Sequence, residues 1–497
     1  KCLISGKRIM LIPKKRRWLQ CQRQSMGINN MPEIVADNIS VINSDELEGA
    51  TRLEAEYYQP AYLSLMKSLK RISTIQLNTI AFVTDGIHAS IDYDDSSPIY
   101  CLSAQSIKDG LFDLSAKTMI AVSQHNKNLR TGIQCGDVII SSMGTIGFSA
   151  VAYREILPAN AVRQVLIVRV NELEKRDSDY PYFISAFLNS KYGMFQSIRE
   201  ATGNVQQHLF IDKVINFKIP QLSNIEYIGG IYKKAEIKFI ESNNLYSQAE
   251  TLLLEELGIK DIDLSHEPCY EVNSGDTITA RRIDAEYYQP KYERVIEVVR
   301  KRQQMPTIAD VFDFIRGEFI DTKYYTENKT SRSYIRIKEL SNNSTINADE
   351  VVYIKDEYKN SKTTMLKKGD LVIAIIGDTI GKTNLILEEF EGGFCSNNTG
   401  MLRLKESYKN RFDMFFLEKL FHNIFIQLQI EKRKAQTGQP KIDDKEIKEI
   451  GIPLVDYKKQ CAIGDLIRQS HSARRQAKGL LEEAKRNVEE MIEKGSE

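Results

Sequence analysis

Residues 377–383 read Gly-Asp-Thr-Ile-Gly-Lys-Thr, a glycine-bounded loop ending in Lys382 and Thr383. It invites comparison with the pattern G-x-x-x-x-G-K-[ST], whose backbone N–H groups cradle phosphates while the lysine reaches their outer oxygens. The stretch falls one residue short, because position 376 is Ile. A nucleotide site is therefore not expected, whereas a single phosphate contact through Lys382 and the loop backbone is. No G-x-G-x-x-G, H-E-x-x-H or G-x-S-x-G occurs, nor an Asn, Asp or Ser followed by Pro-Pro and an aromatic. The last would be needed to methylate the amino group of a flipped base.

What remains is a set of side chains that suit nucleic acid. Arg316, Lys323, Arg332, Arg336 and Lys338 concentrate in the second half of the chain, and arginine can grip a guanine edge or a phosphate. The first half offers Thr84, His88, Gln105, Lys108, Asn204, Gln206 and Gln207, an amide-rich set suited to adenine edges. Thr145, Thr202, Thr437, Gln439 and Lys441 sit in glycine-containing loops, where a backbone can approach a ligand closely. His88 and His208 could each touch a base or be satisfied locally. A solvated face accounts for any one of these residues equally well.

The elements that must position them occur twice. Residues 52–60 read Arg-Leu-Glu-Ala-Glu-Tyr-Tyr-Gln-Pro and residues 282–290 read Arg-Ile-Asp-Ala-Glu-Tyr-Tyr-Gln-Pro. Each block ends in a proline suited to a first helical turn, followed by an amphipathic segment. Gly136-Asp137 and Gly369-Asp370 each open a buried strand leading to a Gly-x-Ile-Gly loop, Gly144–Gly147 in one copy and Gly377–Gly381, one residue longer, in the other. Strands are expected at 165–170 and 401–404. Helices are expected at 182–198 and 412–430, with aromatic stripes that read as core. Thr202-Gly203 and Thr437-Gly438 loops follow, then Ile219-Pro220 and Ile452-Pro453.

After each Ile-Pro lies a long helix with a heptad-like seam. One runs through Ile225, Ile228, Tyr232, Ala235, Phe239, Ser242, Tyr246, Ala249 and Leu253. The other runs through Ile463, Leu466, Ser470, Ala473, Ala477, Leu480, Ala484, Asn487 and Met491. The expected fold is α+β: two similar α/β domains separated by two long antiparallel coiled-coil helices, with a pseudo-two-fold internal duplication. The boundaries are a basic extension at 1–25, expected to be disordered, domains at 26–222 and 259–455, and helices at 223–258 and 456–497.

Charge narrows the function. Residues 1–25 hold eight Lys or Arg and no acid, which leaves 60 basic against 67 acidic residues in the rest of the chain. The body is thus not globally basic, so any DNA binding must use local patches or a partner that supplies phosphate neutralisation. No run of 18 apolar residues occurs, so no membrane partner is expected. Seven scattered cysteines without a C-x-x-C pair imply a reducing, cytoplasmic setting and no metal site.

The ordered repetition of these parts over residues 40–494 resembles the specificity subunits of type I restriction-modification enzymes. The resemblance implies a non-catalytic chain whose two target-recognition domains each read half of a bipartite site in double-stranded DNA. It implies that the helices set the spacing and dock two DNA methyltransferase subunits, with restriction/translocase subunits as further partners. No cofactor is expected on this chain, and S-adenosylmethionine would sit on the methyltransferase partners. The alternatives are a self-contained DNA methyltransferase or NTP-using enzyme, and a tandem-domain protein adaptor. The basic tail is outside the family pattern.

Overall fold

The computed structural model describes residues 57–114, 118–203, 207–341, 345–359, 364–435 and 440–495. It also describes, as backbone, an antiparallel three-stranded sheet of Cys2–Ser5, Arg8–Leu11 and Ser40–Asn43. Two of those strands fall in the extension expected to be disordered; the rest of that extension, and residues 52–56 of the first repeat block, lie outside the described residues. The chain divides into two compact units, one of residues 1–239 with 475–497 and one of residues 240–474.

In the first unit, α1 (Pro60–Lys70) starts on the proline of the repeat block. The sheet consists of β1 (Ala81–Asp85), β2 (Val138–Ser141), β3 (Ser149–Val151) and β4 (Val165–Val170), all antiparallel, in the order β3-β2-β4-β1. Apolar side chains are buried on both of its faces, with Phe82 of β1 the exposed exception. Val138, Ile140 and Val168 pack on α2 (Tyr180–Asn189) through Phe183 and Phe187, while Ile139 and Ile167 are buried on the opposite face. The continuous helix expected at 182–198 is instead α2 followed by α3 (Lys191–Glu200), broken at Ser190, which is extended at φ −74°, ψ 166°. The core is completed by Ile228, Tyr232, Ala235 and Phe239 of the central long helix (Ile225–Leu257), and by Ala477, Leu481, Ala484, Val488 and Ile492 of the C-terminal helix (Tyr457–Lys494). That last stripe departs from the expected seam: Leu481 and Val488 take the places assigned to Leu480 and Asn487. A 3.6-residue helix drifts from a strict heptad, and here the buried stripe must also cover a sheet-bearing domain.

The second unit repeats the plan. α4 (Pro290–Arg300) begins on the second block's proline. β5 (Phe312–Arg316), β6 (Leu371–Ala374), β7 (Thr383–Leu385) and β8 (Thr399–Leu404) pair antiparallel in the order β7-β6-β8-β5, the same order as in the first unit. The two-residue period of a strand divides β6 cleanly. Leu371 and Ile373 join the core under α5 (Met414–His422) and α6 (Ile424–Arg433), while Val372 and Ala374 join a second cluster with Ile335, Leu340 and Phe390. α5 and α6 are separated at Asn423, whose side chain accepts from Phe425 N at 2.9 Å and caps α6. In this unit the two long helices run antiparallel: Ser242 and Ser470 hydroxyls lie 3.0 Å apart, and Lys459 bonds Glu256 at 2.7 Å.

The tyrosine pairs of the two repeat blocks do the same structural work. Tyr57 and Tyr58 meet edge-on at 4.9 Å, as do Tyr287 and Tyr288 at 4.8 Å. A cation from the following helix pair covers the first tyrosine of each, Arg199 at 3.8 Å and Lys432 at 4.8 Å. Each Gly-Asp turn is pinned alike: Asp137 holds Arg169 and the N–H of Gln134, and Asp370 holds Arg403 and the N–H of Lys367. Among the described residues, no helix is long and apolar enough to cross a membrane.

Candidate nucleic-acid interface

In each unit four segments meet at one end of the four-stranded sheet, joined by matching hydrogen bonds. The glycine loop after β2 folds back through Gly147 N to Ser141 O at 2.9 Å, and its counterpart after β6 through Gly381 N to Ala374 O at 3.0 Å. The loop that follows the helix pair closes onto it: Leu209 N bonds Ser142 O at 2.9 Å, and Ile442 N bonds Ile375 O at 3.1 Å. The turn before β4 or β8 supplies Gln164 O to Ser142 N at 2.9 Å and Asn398 O to Ile375 N at 3.0 Å. The exit of β1 or β5 gives Ile87 N to Ala161 O at 2.7 Å and Glu318 N to Cys395 O at 3.0 Å.

Two glycine positions are required by this arrangement. A Cβ at Gly86 would lie 2.3 Å from Val162 O, and one at Gly317 would lie 2.2 Å from Ser396 O, so only glycine lets the strand exit approach that turn. Gly144 and Gly377 differ in kind: each has positive φ, 75° and 88°, with no atom within 4 Å of a Cβ, so the backbone faces open space there.

On this common frame the exposed side chains differ. In the first unit Asp85 lies at the end of β1. His88 Nε2 meets Asp85, Arg130 donates to the Thr84 hydroxyl, and the Arg130 guanidinium lies 3.5 Å from Asp85. His208, on the closing loop, is held below its ordinary pKa by burial and by Arg163 and His88, against Asp85, so it is neutral at pH 7. In the second unit Arg316 takes the place of Asp85 and pairs with Asp444 at 2.8 Å; Phe319, 72% exposed, takes the place of His88; and Lys441 takes the place of His208. Exposed Asn397 and Asn398 stand where the first unit has exposed Arg163 and Gln164.

The sequence candidates distribute unevenly over this frame. Thr84, His88, Thr145, Thr202, Gln207, Arg316, Lys382 and Lys441 belong to the converging segments. Thr84 is buried and Thr145 exposed, and the Thr202 backbone pairs with that of His208. Asn204, Gln206, Thr437 and Gln439 lie outside the described residues. Gln105 and Lys108 are exposed elsewhere, on a short helical turn and a hairpin that the Gly110 carbonyl ties to Tyr232 Oη. Lys323 is exposed beside Tyr324. Arg332 donates to the carbonyls of Lys355, Asp356 and Tyr358, and Arg336 pairs with fully buried Glu339, so both guanidinium groups are committed inside the unit. Lys338 lies 3.3 Å from Glu350. Arg130, Arg163 and Phe319 were not singled out from the sequence; only the fold brings them to the rim.

Residues 377–383 do not form a nucleotide-binding phosphate loop. The segment runs from strand to strand, with Thr383 fully buried in β7 and its hydroxyl donating to Gly381 O at 3.0 Å. No helix N-terminus follows to hold a nucleotide. Beside the second closing loop, Arg282, Asp284, Arg433, Ala435, Lys441, Asp443 and Glu446 line a recess of about 330 Å³. Arg282 and Asp284 come from the repeat block and are paired at 2.9 and 2.6 Å, which again casts that block as scaffold.

Residues 302–486 match the family described as Type I restriction modification DNA specificity domain. The chain is matched by that family over less than half of its length. Among solved structures it is similar to the S subunit of a type I restriction-modification system from M. genitalium, at 12% identity over 85% of this chain and 95% of that one, with a TM-score of 0.42. It is also similar to the HsdS subunit from Thermoanaerobacter tengcongensis, at 15% identity over 85% and 96%, with a TM-score of 0.28. No curated protein matches the chain.

Proposed function

We propose that each unit reads one half of a bipartite DNA target with the loop end of its four-stranded sheet. In this reading the chain is not itself catalytic: methyl transfer from S-adenosylmethionine and any DNA cleavage belong to partner subunits, with two methyltransferase subunits docked on the long helices. One observation carries the proposal. The two units share the backbone hydrogen bonds that build the loop end, yet differ in the side chains that this end exposes. A scaffold kept the same with a face made different suits two readers of two sequences, because phosphate contacts position a protein while base contacts specify. The open glycine backbones and Lys441 supply the former, and the diverged rim supplies the latter. Single-molecule sequencing of modified bases in a host with and without this gene tests it. The reading expects a split motif that disappears with the gene; an unchanged methylation pattern contradicts it.

A further inference from the structure

Position 319 puts a large apolar ring on the rim of the second unit, whereas the exposed Phe210 on the first unit's closing loop lies against His208 at 4.1 Å. Phe319 is 72% exposed, and it is not a loose loop residue. Gly317 before it is pressed against the Ser396 carbonyl. The N–H of Glu318 bonds Cys395 O at 3.0 Å and its carbonyl accepts from Tyr334 Oη at 2.9 Å. Its carboxylate accepts from Tyr358 Oη at 2.9 Å and Thr364 Oγ1 at 2.8 Å. Ile320 after it is buried among Tyr334, Ile354 and Phe394. The stem is fixed on both sides while the ring projects into solvent. A large apolar group held rigid and wet loses little conformational entropy when it is covered, as the rigid aromatic anchors of binding surfaces do. Its counterpart in the first unit is His88, a polar side chain tied to Asp85.

Resting on the reading of this loop end as the DNA face, we infer that Phe319 is a specificity-determining residue that packs against the C5-methyl group of a thymine in the major groove. That methyl is the one apolar feature a base pair shows there, and apolar side chains recognise it. His88, at the matched position, then reads a polar edge, so the two units differ in the kind of group they read at one shared position.

The test uses the full chain in complex with the methyltransferase subunits that copurify with it, on a duplex carrying its methylation motif. Each thymine is replaced singly by deoxyuridine, which deletes only the methyl. One replacement, in the half-site of the second unit, should weaken binding by about fourfold, the effect of losing one buried CH₂-sized group. Phe319→Ala should weaken binding to the unmodified duplex by a similar factor and be indifferent to that same replacement. Because the ring is exposed, the variant keeps its core, which an unchanged melting profile would document. The inference is overturned if Phe319→Ala responds to every deoxyuridine as the parent does, if no thymine methyl in that half-site contributes, or if the variant loses a copurifying subunit while keeping the parental deoxyuridine response. Lys441→Ala separates the two levels of failure. If it weakens binding to all sequences alike while Phe319→Ala fails the test, only the thymine assignment is wrong; if neither substitution affects binding, this end of the unit is not the DNA face.

Discussion

Replacing Asp370 by alanine should destabilise the second unit by about 3 kcal/mol and leave the first unit intact. Asp370 is buried at the Gly-Asp turn that opens β6, accepts from Arg403 at 2.9 and 2.7 Å, and also accepts the N–H of Lys367 at 2.7 Å. Removing one partner of a buried, hydrogen-bonded pair costs about 3–5 kcal/mol, because the remaining charge is left uncompensated. The lower end applies here: Arg403 keeps 21% exposure and a 2.8 Å bond to Met365 O, so its charge is not stranded. The orphaned backbone N–H opposes any further discount. Asp137→Ala should cost the first unit a similar amount, since Asp137 is fully buried and makes the same bonds to Arg169 and Gln134. A two-unit chain is not expected to unfold in one step, so hydrogen exchange resolved by peptide is the assay. Protection should fall along β6–β8 for Asp370→Ala and along β2–β4 for Asp137→Ala. Loss of protection in both units from either substitution, or a cost below about 1 kcal/mol, would refute the idea of two separately pinned copies of one scaffold.

Two further outcomes follow from the same geometry. Burial pushes the Glu236 carboxyl up to about 8, against the hydrogen bond donated by Tyr182 at 2.8 Å. The protonated form is therefore the stable one in the fold; its stability is fully present below pH 4.5 and is lost as pH rises towards 8. Glu236→Gln, which is always neutral, should match the parent at pH 4.5 and exceed it by about 2–3 kcal/mol at pH 7; urea denaturation at several pH values reads this, and a difference that does not change with pH would count against it. Gly317→Ala should cost about 3 kcal/mol, because its methyl would meet the Ser396 carbonyl across a paired backbone; local hydrogen exchange at 395–399 should rise, and a neutral substitution would show that the strand exit can move aside.

Much of the scaffold was legible in the sequence because it is written in local patterns. Pro60 and Pro290 mark helix starts, the Gly-Asp pairs mark strand entries, and the runs at 138–141 and 371–374 are apolar enough to be buried on both faces. The glycine loops could be named, but not their meeting with the closing loops, which depends on bonds such as Leu209 N to Ser142 O between residues far apart in the chain. The helix breaks at Ser190 and Asn423 were missed because the aromatic stripe continues across them, and a period of three to four residues does not reveal a cap in its middle. Side-chain partners were the least legible part. Arg332 and Arg336 read as free cations from sequence, yet one bonds three carbonyls and the other a buried glutamate. Arg130 and Arg163 gave no local signal, since what brings them near Asp85 and His208 is the fold itself.

The most direct test of the account is to exchange residues 61–222 for the corresponding segment of a chain with a different target, and then sequence the modified bases in the host. If each unit reads its own half-site, one half of the motif changes and the other stays as it was. A motif altered in both halves, or in neither, would contradict the account.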